Sequence, residues 1–171
     1  MVNIAFNQFK GSIPLWSGVR AFDLSNNLLS RAVPANIGEE MSDLMFLDLS
    51  NNNLNGSIPL SINRIQNLQY VDLFNNFLTG AIPVFWMSMQ KLSIIDLSNN
   101  SLSGRIPTSI CSLPSLSILE FSDKNLLADL STTLKNCTRL QTLSLGNNMF
   151  FGFMPKEINK NLPLLRVTVK R

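Results

Sequence analysis

Apolar residues recur along this chain in a fixed frame rather than in the amphipathic runs of an ordinary globular domain. One unit carries Leu44, Leu47, Leu49, Asn52, Leu54, Gly56, Ile58 and Pro59. The same positions return 24 residues on as Leu68, Val71, Leu73, Asn76, Leu78, Gly80, Ile82 and Pro83, and again as Leu92, Ile95, Leu97, Asn100, Leu102, Gly104, Ile106 and Pro107. A period of this length is the mark of stacked units, none of which buries its apolar edge alone. The alternation Leu47-x-Leu49 predicts a short strand with inward leucines and outward intervening residues. Stacking such units predicts a parallel sheet with strands about 4.8 Å apart. The asparagine leaves the strand for a turn, where its amide can satisfy backbone groups that a tight buried bend would orphan. Glycine then permits a backbone conformation that a side chain would obstruct, and Ile-Pro adds a second apolar anchor. Apolar pairs three apart (Ile62 and Ile65, Trp86 and Met89, Ile110 and Leu113) predict a short 3₁₀-like return.

The frame extends beyond these three regular units. A first unit starts part-way, at Val2 and Ile4, followed by Asn7, Phe9, Gly11, Ile13 and Pro14. A second has Phe22, Leu24, Asn27, Leu29, Val33 and Pro34, with Arg31 where glycine is expected. The step from Asn7 to Asn27 is 20 residues, so the return through Trp16–Arg20 is abbreviated. The sixth unit is degenerate: Leu116, Leu119 and Phe121 hold, but Lys124, Ala128 and Ser131 replace asparagine, glycine and proline. The seventh recovers with Leu140, Leu143, Leu145, Asn148, Phe150, Gly152, Met154 and Pro155. An eighth begins near Leu164, Val167 and Val169, in one of two registers: Leu162 suggests an inserted residue, the valines none. Residues 1–171 thus read as one solenoid segment of seven to eight units without polar caps.

The strings LDLSNNNLNGSIPLSI, VDLFNNFLTGAIPVFW and IDLSNNSLSGRIPTSI resemble the plant-specific leucine-rich repeat, whose hallmark is the L-x-G-x-I-P tail. The chain as a whole resembles the extracellular part of plant receptor-like proteins, particularly those like the ethylene-inducing-xylanase receptor. GSIPLWSG, ANIGEEMSDLMFLDLS, VFWMSMQKLSIIDLSNNSLSGRIP and LKNCTRLQTLSLGNN carry that narrower likeness. The resemblance implies an α/β leucine-rich-repeat solenoid: a right-handed superhelix with a parallel sheet on its concave face and short 3₁₀ or extended returns on its convex face. It further implies a non-enzymatic recognition module of a plant immune receptor-like protein at the extracellular side of the plasma membrane. A protein or peptide ligand and a co-receptor kinase are the implied partners. A secreted inhibitor of cell-wall-degrading enzymes, similar to polygalacturonase inhibitors, and a truncated product with scaffold contacts only are the alternatives.

Outward positions of the sheet form three columns. The central one reads Asn3, Asp23, Asp48, Asp72, Asp96, Glu120, Ser144, Thr168. Neighbouring carboxylates about 5 Å apart repel by roughly 0.8 kcal/mol in water before screening. The column either attracts a basic ligand or is simply the habit of the repeat, with hydroxyls and solvent meeting the charges; the second reading is the stronger. Carboxylates at this separation also match retaining glycosidases, but equivalent aspartates on an open face lack the distinct environments that acid and nucleophile require. Beside the acids run Ala21, Phe46, Tyr70, Ile94, Ile118 and Thr142, and on the other side Ser25, Ser50, Phe74, Ser98, Ser122 and Gly146. Phe46, Tyr70 and Phe74 are expected to stand exposed together. They serve either as binding anchors or to cover one another across strands. The candidate concave site is therefore Phe46, Asp48, Tyr70, Asp72, Phe74, Ile94, Asp96 and Glu120.

Other chemistry is sparse. Net charge is +3 with no histidine, and the scattered basic residues make no nucleic-acid patch. No cofactor and no metal site is expected, and two thiols without further ligands do not make a zinc site. Cys137 falls in the inward column of Ile65 and Leu113, whereas Cys111 follows the inward Ile110 and is expected to point elsewhere, so a bridge between them is not favoured. Three acceptor sequons occur, at Asn55, Asn99 and Asn136. Asn136 is expected on the return, where a glycan is harmless, and Asn99 at the edge of the concave strand, where one would mask part of the face. The start lacks the basic and apolar stretches of a signal peptide, and no run is long enough to cross a membrane, so no direct membrane contact is expected of this segment. End turns without caps would each leave about 300 Å² of apolar surface uncovered, about 7 kcal/mol per end, from which fraying or self-association is expected and a piece of a longer protein inferred.

Overall fold

The computed structural model describes residues 1–122, 125–135 and 137–152, together with the backbone of Arg166–Val167. Eight short strands form one parallel sheet in strict chain order: Val2–Asn3, Ala21–Asp23, Phe46–Asp48, Tyr70–Asp72, Ile94–Asp96, Ile118–Glu120, Thr142–Ser144 and Arg166–Val167. The register is the one the repeat frame dictates, with Asp23 opposite Asp48, Asp48 opposite Asp72, and Asp72 opposite Asp96. The last strand pairs Val167 with Leu143, which selects the register without an inserted residue. Lys124, Asn136, Met154, Pro155, Leu162, Leu164, Thr168 and Val169 lie outside the described residues.

A second parallel sheet was not foreseen from the sequence. Its strands are Lys10–Gly11, Leu28–Ala32, Asn53–Gly56, Phe77–Ala81, Ser101–Arg105 and Leu126–Leu127. The repeat frame implies only a turn followed by an apolar anchor there, because in each regular unit a single leucine of the segment (Leu54, Leu78, Leu102) points inward. Leu54, Leu78 and Leu102 are buried, while their strand neighbours face outward. Register also differs between the sheets: concave partners are 24 residues apart, as Asp48 and Asp72, but second-sheet partners such as Asn55 and Phe77 are 22 apart.

The glycine of each turn does need its position. Gly56, Gly80 and Gly104 have φ of +73°, +84° and +84°, a region that penalises a Cβ. Arg31 occupies the corresponding place with φ +81°. The first asparagine of each Asn-Asn pair, as at Asn51, Asn75 and Asn99, is also left-handed, a conformation asparagine tolerates better than most residues.

The second asparagine clamps two turns. Asn76 Nδ2 donates to Leu73 O and Phe74 O of its own turn and to Leu49 O of the preceding one, while its Oδ1 accepts from Leu54 N. Asn27, Asn52, Asn100 and Asn148 repeat the arrangement, each reaching a carbonyl and an amide N–H of the turn before. Every polar atom of a buried amide is thus satisfied, as burial demands.

The core runs as a continuous apolar column. In one turn Leu44, Leu47, Leu49, Leu54, Ile58, Ile62, Ile65 and Leu68 are all buried. Among the described residues the helical returns are the 3₁₀ segments Leu60–Arg64, Phe85–Ser88 and Thr108–Ser112, and two single-turn α-helices, α1 (Ile37–Glu40) and α2 (Leu130–Thr133).

The expectation for the cysteines fails here. Cys111 and Cys137 form a disulfide, with Cα atoms 4.4 Å apart. Cys111 sits in the 3₁₀ return Thr108–Ser112, whereas the return leading to Cys137 contains the α-helical α2. An α-helix rises less per residue than a 3₁₀ helix, so more residues are consumed over the same path. The facing residues are 26 apart rather than 24, and column counting does not survive on the convex side. Both cysteines are buried, but neither is a free thiol.

Candidate ligand-binding face

The concave sheet brings together all eight residues of the expected site. Phe46, Tyr70, Ile94 and Ile118 form one column in direct register, and Asp48, Asp72, Asp96 and Glu120 the next. Phe46, Asp48, Tyr70, Asp72, Phe74, Ile94, Asp96 and Glu120 are all half-buried, so the aromatic trio is less exposed than expected.

The two aromatic readings are resolved in part. Phe46 and Tyr70 stack face to face across adjacent strands, with centroids 4.3 Å apart and planes 7° from parallel. They cover one another on one face each, and both remain half-buried. Such a pair forms a rigid apolar plate, since aromatic stacking fixes both rings beyond simple area burial. Phe74 stands two residues along from Asp72, on the far side of the acid column.

The acids are tied into the scaffold along one oxygen. Asp23 Oδ1 and Asp48 Oδ1 each accept from the backbone N–H and the hydroxyl of the serine two residues on, Ser25 and Ser50. Asp72 Oδ1 accepts from Phe74 N, and Asp96 Oδ1 from Ser98 N. These are Asx turns that end each strand, and they tie one oxygen of each of these aspartates to its own turn. The other oxygen faces along the sheet: Asp23 Oδ2 accepts from Asn3 Nδ2 and Asp72 Oδ2 from the Tyr70 hydroxyl, at 2.8 and 2.9 Å.

Electrostatics single out Asp72. Burial, followed by the charges of Asp48 and Asp96 on either side, pushes its carboxyl up to about 6, against the hydrogen bonds from Phe74 N and the Tyr70 hydroxyl. Burial also raises Asp48, with Asp23 adding to the effect and the Ser50 bonds opposing it. Tyr70 is held well above the usual phenol range by burial first and by the Asp72 carboxylate beside it. Asp72 therefore sits at the centre of a stripe that favours a positive charge, next to an apolar plate.

The sequons fall in different surroundings. Asn55 is exposed on the second-sheet strand Asn53–Gly56. Asn99 lies in a left-handed turn at the rim of the concave sheet, where its Nδ2 donates to Asn75 Oδ1 and Asn75 Nδ2 donates in turn to Asn51 Oδ1. Asn136 is outside the described residues. Among the described residues no helix is long and apolar enough to cross a membrane.

Leucine rich repeat models match residues 66–127, and also 43–65 and 139–161. No curated protein sequence matches the chain significantly. Among solved structures, the chain is 31% identical to a chain of the BIR3–SERK2 complex from Arabidopsis thaliana, covering 73% of this chain and 68% of that one with a TM-score of 0.66. The chain belongs to the leucine-rich-repeat proteins. It is 32% identical to the plant peptide hormone receptor RGFR1, solved in complex with RGF2, over 98% of its length (27% of that chain) with a TM-score of 0.91. It is 30% identical to the leucine-rich-repeat ectodomain of the Arabidopsis receptor kinase HAESA, bound to an IDA peptide hormone, over 98% of its length (28% of that chain) with a TM-score of 0.87. HAESA is also solved with IDA and the co-receptor SERK1, where identity is 27% over 96% of this leucine-rich-repeat chain and 32% of that one, with a TM-score of 0.74. The chain spans about a quarter of the length of these hormone receptors.

Proposed function

We propose that this leucine-rich-repeat segment is a recognition module on the extracellular side of a plant plasma membrane, and that it binds an extended, basic peptide or protein segment along its concave sheet. The observation that carries the reading is the stacked Phe46–Tyr70 plate standing beside the Asp48–Asp72–Asp96 stripe. An apolar anchor next to concentrated negative charge suits a peptide that alternates apolar and cationic side chains. The likeness to receptors solved with peptide hormones supports this occupant, and the complex containing SERK1 supports a co-receptor kinase as a second partner. The Cys111–Cys137 disulfide fits an oxidising compartment. Within this class the strings quoted above favour an immune receptor-like protein similar to the ethylene-inducing-xylanase receptor. Residues 1–171 act as one continuous solenoid in this reading, and the carboxylates of the open face serve binding rather than catalysis.

The test is to pan the immobilised chain against a displayed library of short linear peptides. Lysine- and arginine-rich sequences are expected to be enriched. Replacing Phe46, Tyr70 and Phe74 together by Ala should weaken them about thirtyfold, the equivalent of about 2 kcal/mol, with circular dichroism unchanged. Enrichment of neutral or acidic peptides, or affinity indifferent to the triple substitution, overturns the reading.

A further inference from the structure

The second sheet carries one residue that its repeat does not explain. Phe77 is 60% exposed, while the matching positions one turn either side are Asn53 and Ser101. Exposed apolar side chains recur at this position as Leu28 and Met149, but among the described residues only Phe77 places an aromatic ring there. Its cross-strand partner in the parallel register is Asn55, which is exposed and heads the sequon Asn55-Gly56-Ser57. Ala32 lies on the other side of Asn55 and leaves the surface flat there.

We propose that Asn55 is an N-glycosylation site and that Phe77 is the platform for the first sugar of its glycan. Strands in a sheet are about 4.8 Å apart, and registered side chains project to the same face. A sugar joined to Asn55 Nδ2 therefore lies over the ring on the next strand. The axial C–H groups of a pyranose meet the electron-rich face of phenylalanine, a contact that combines apolar burial with weak C–H donation to the ring. Among the described residues the Asn55 amide makes no side-chain hydrogen bond, unlike Asn99, whose Nδ2 donates to Asn75 Oδ1 in the rim ladder. A glycan at Asn55 stands on the second sheet, off the concave face formed by Phe46, Tyr70 and Asp72, and so leaves the ligand face open. The same contact gives an exposed phenylalanine a cover in the mature protein.

This inference rests on the extracellular reading, because only a chain entering the secretory pathway meets the transferase. The experiment separates the two by supplying the pathway. The full chain is translated behind a cleavable signal peptide into microsomes and in a secreting eukaryotic host, and site occupancy is read by mass spectrometry with Ser57→Ala as the sequon-null control. Asn55 is expected to be occupied and Ser57→Ala to abolish that occupancy. Thermal unfolding is then compared before and after enzymatic deglycosylation, in the wild type and in Phe77→Ala. Removing the glycan should lower Tm by about 2–4 °C in the wild type, the shift a single aromatic contact produces in a chain of this size, and by less than half of that in Phe77→Ala. An unoccupied Asn55 in microsomes overturns the site. An occupied Asn55 whose glycan contributes equally with and without Phe77 overturns the platform. Neither outcome bears on where the native protein resides, which localisation of the native protein decides.

Discussion

Replacing Gly38 by Ala should destabilise the protein, although helix propensity argues the reverse. Gly38 lies inside α1, where Ala is ordinarily favoured by about 1 kcal/mol. A Cβ at this position, however, would stand 1.7 Å from the carbonyl oxygen of Ser61, 2.5 Å from its carbonyl carbon and 3.3 Å from Arg64 Cβ. Restoring ordinary contact requires α1 and the Leu60–Arg64 return to separate by about 1.5 Å, since close C···O contacts begin near 3.3 Å. Nothing flexible can yield, because the obstacle is backbone. The separation would break the 3.3 Å bond from Gly38 N to Ser61 Oγ and open the seam between Ile37, Met41, Ile62 and Ile65, all fully buried. Overpacking of this kind costs about 1–3 kcal/mol or more, to which loss of the hydrogen bond adds about 1 kcal/mol. After the helix gain, a net loss of about 1–3 kcal/mol remains, or a fall in Tm of about 2–12 °C at this chain length. Thermal and urea unfolding of Gly38→Ala measure it, and hydrogen exchange should place the weakening at residues 37–41 and 60–65. A variant as stable as the wild type, or more so, would show that the second and third turns do not approach as closely as described.

Three further outcomes are expected. Arg31→Gly should raise stability by about 0.5–1 kcal/mol, because the left-handed strain at φ +81° exceeds the added flexibility of glycine in the unfolded chain; a lower urea midpoint would contradict this. Replacing Cys111 and Cys137 by Ser should cost about 3.5 kcal/mol, the chain-entropy value for a loop closed across 26 residues. Non-reducing peptide mapping should first show the two linked, and a melt insensitive to reductant would refute the bridge. For Asp72, the folded carboxyl titrates near 6 and the unfolded one near 3.8, so the folded state holds the proton more tightly. Stability therefore falls as pH rises from about 4 to 6 and levels above, and Asp72→Asn should flatten that part of the profile; a pH profile identical in variant and wild type would refute the assignment.

The concave face was legible because its spacing is strict. Inward Leu47, Leu49, Val71 and Leu73 fix the strand, and once they do, Asp48 must stand beside Asp72 and Phe46 beside Tyr70. The second sheet was not, since Asn53–Gly56 has a single inward leucine and no alternation long enough to signal a strand. The backbone pairs there because the clamp asparagine delivers it alongside the next turn, a tertiary cause invisible in the local pattern. The Cys111–Cys137 bridge was missed for a related reason: the return of one turn is 3₁₀ and that of the next is α, so equal counting along the chain no longer means equal position in space. Gly38 stands outside the repeat frame, and its need for a bare backbone shows only with Ser61 against it. For the aromatic trio, sequence placed the rings together but not their mutual stacking, which depends on side-chain torsions.

The asparagine clamp has a consequence for how this architecture accommodates change. Each clamp addresses its neighbour relative to the preceding asparagine position: Asn27 takes Ile4 O and Phe9 N, Asn52 takes Leu24 O and Leu29 N, and Asn76 takes Leu49 O and Leu54 N. The successive intervals from Asn7 to Asn27, Asn52 and Asn76 are 20, 25 and 24 residues, yet the bonds made are identical. Length differences are absorbed entirely in the returns, on the side remote from the acid stripe. The two faces are thereby uncoupled as engineering variables. Loops can be lengthened, shortened or replaced on the convex surface without moving a residue on the concave one, and the recognition face can be rewritten column by column without renegotiating the clamp that holds it.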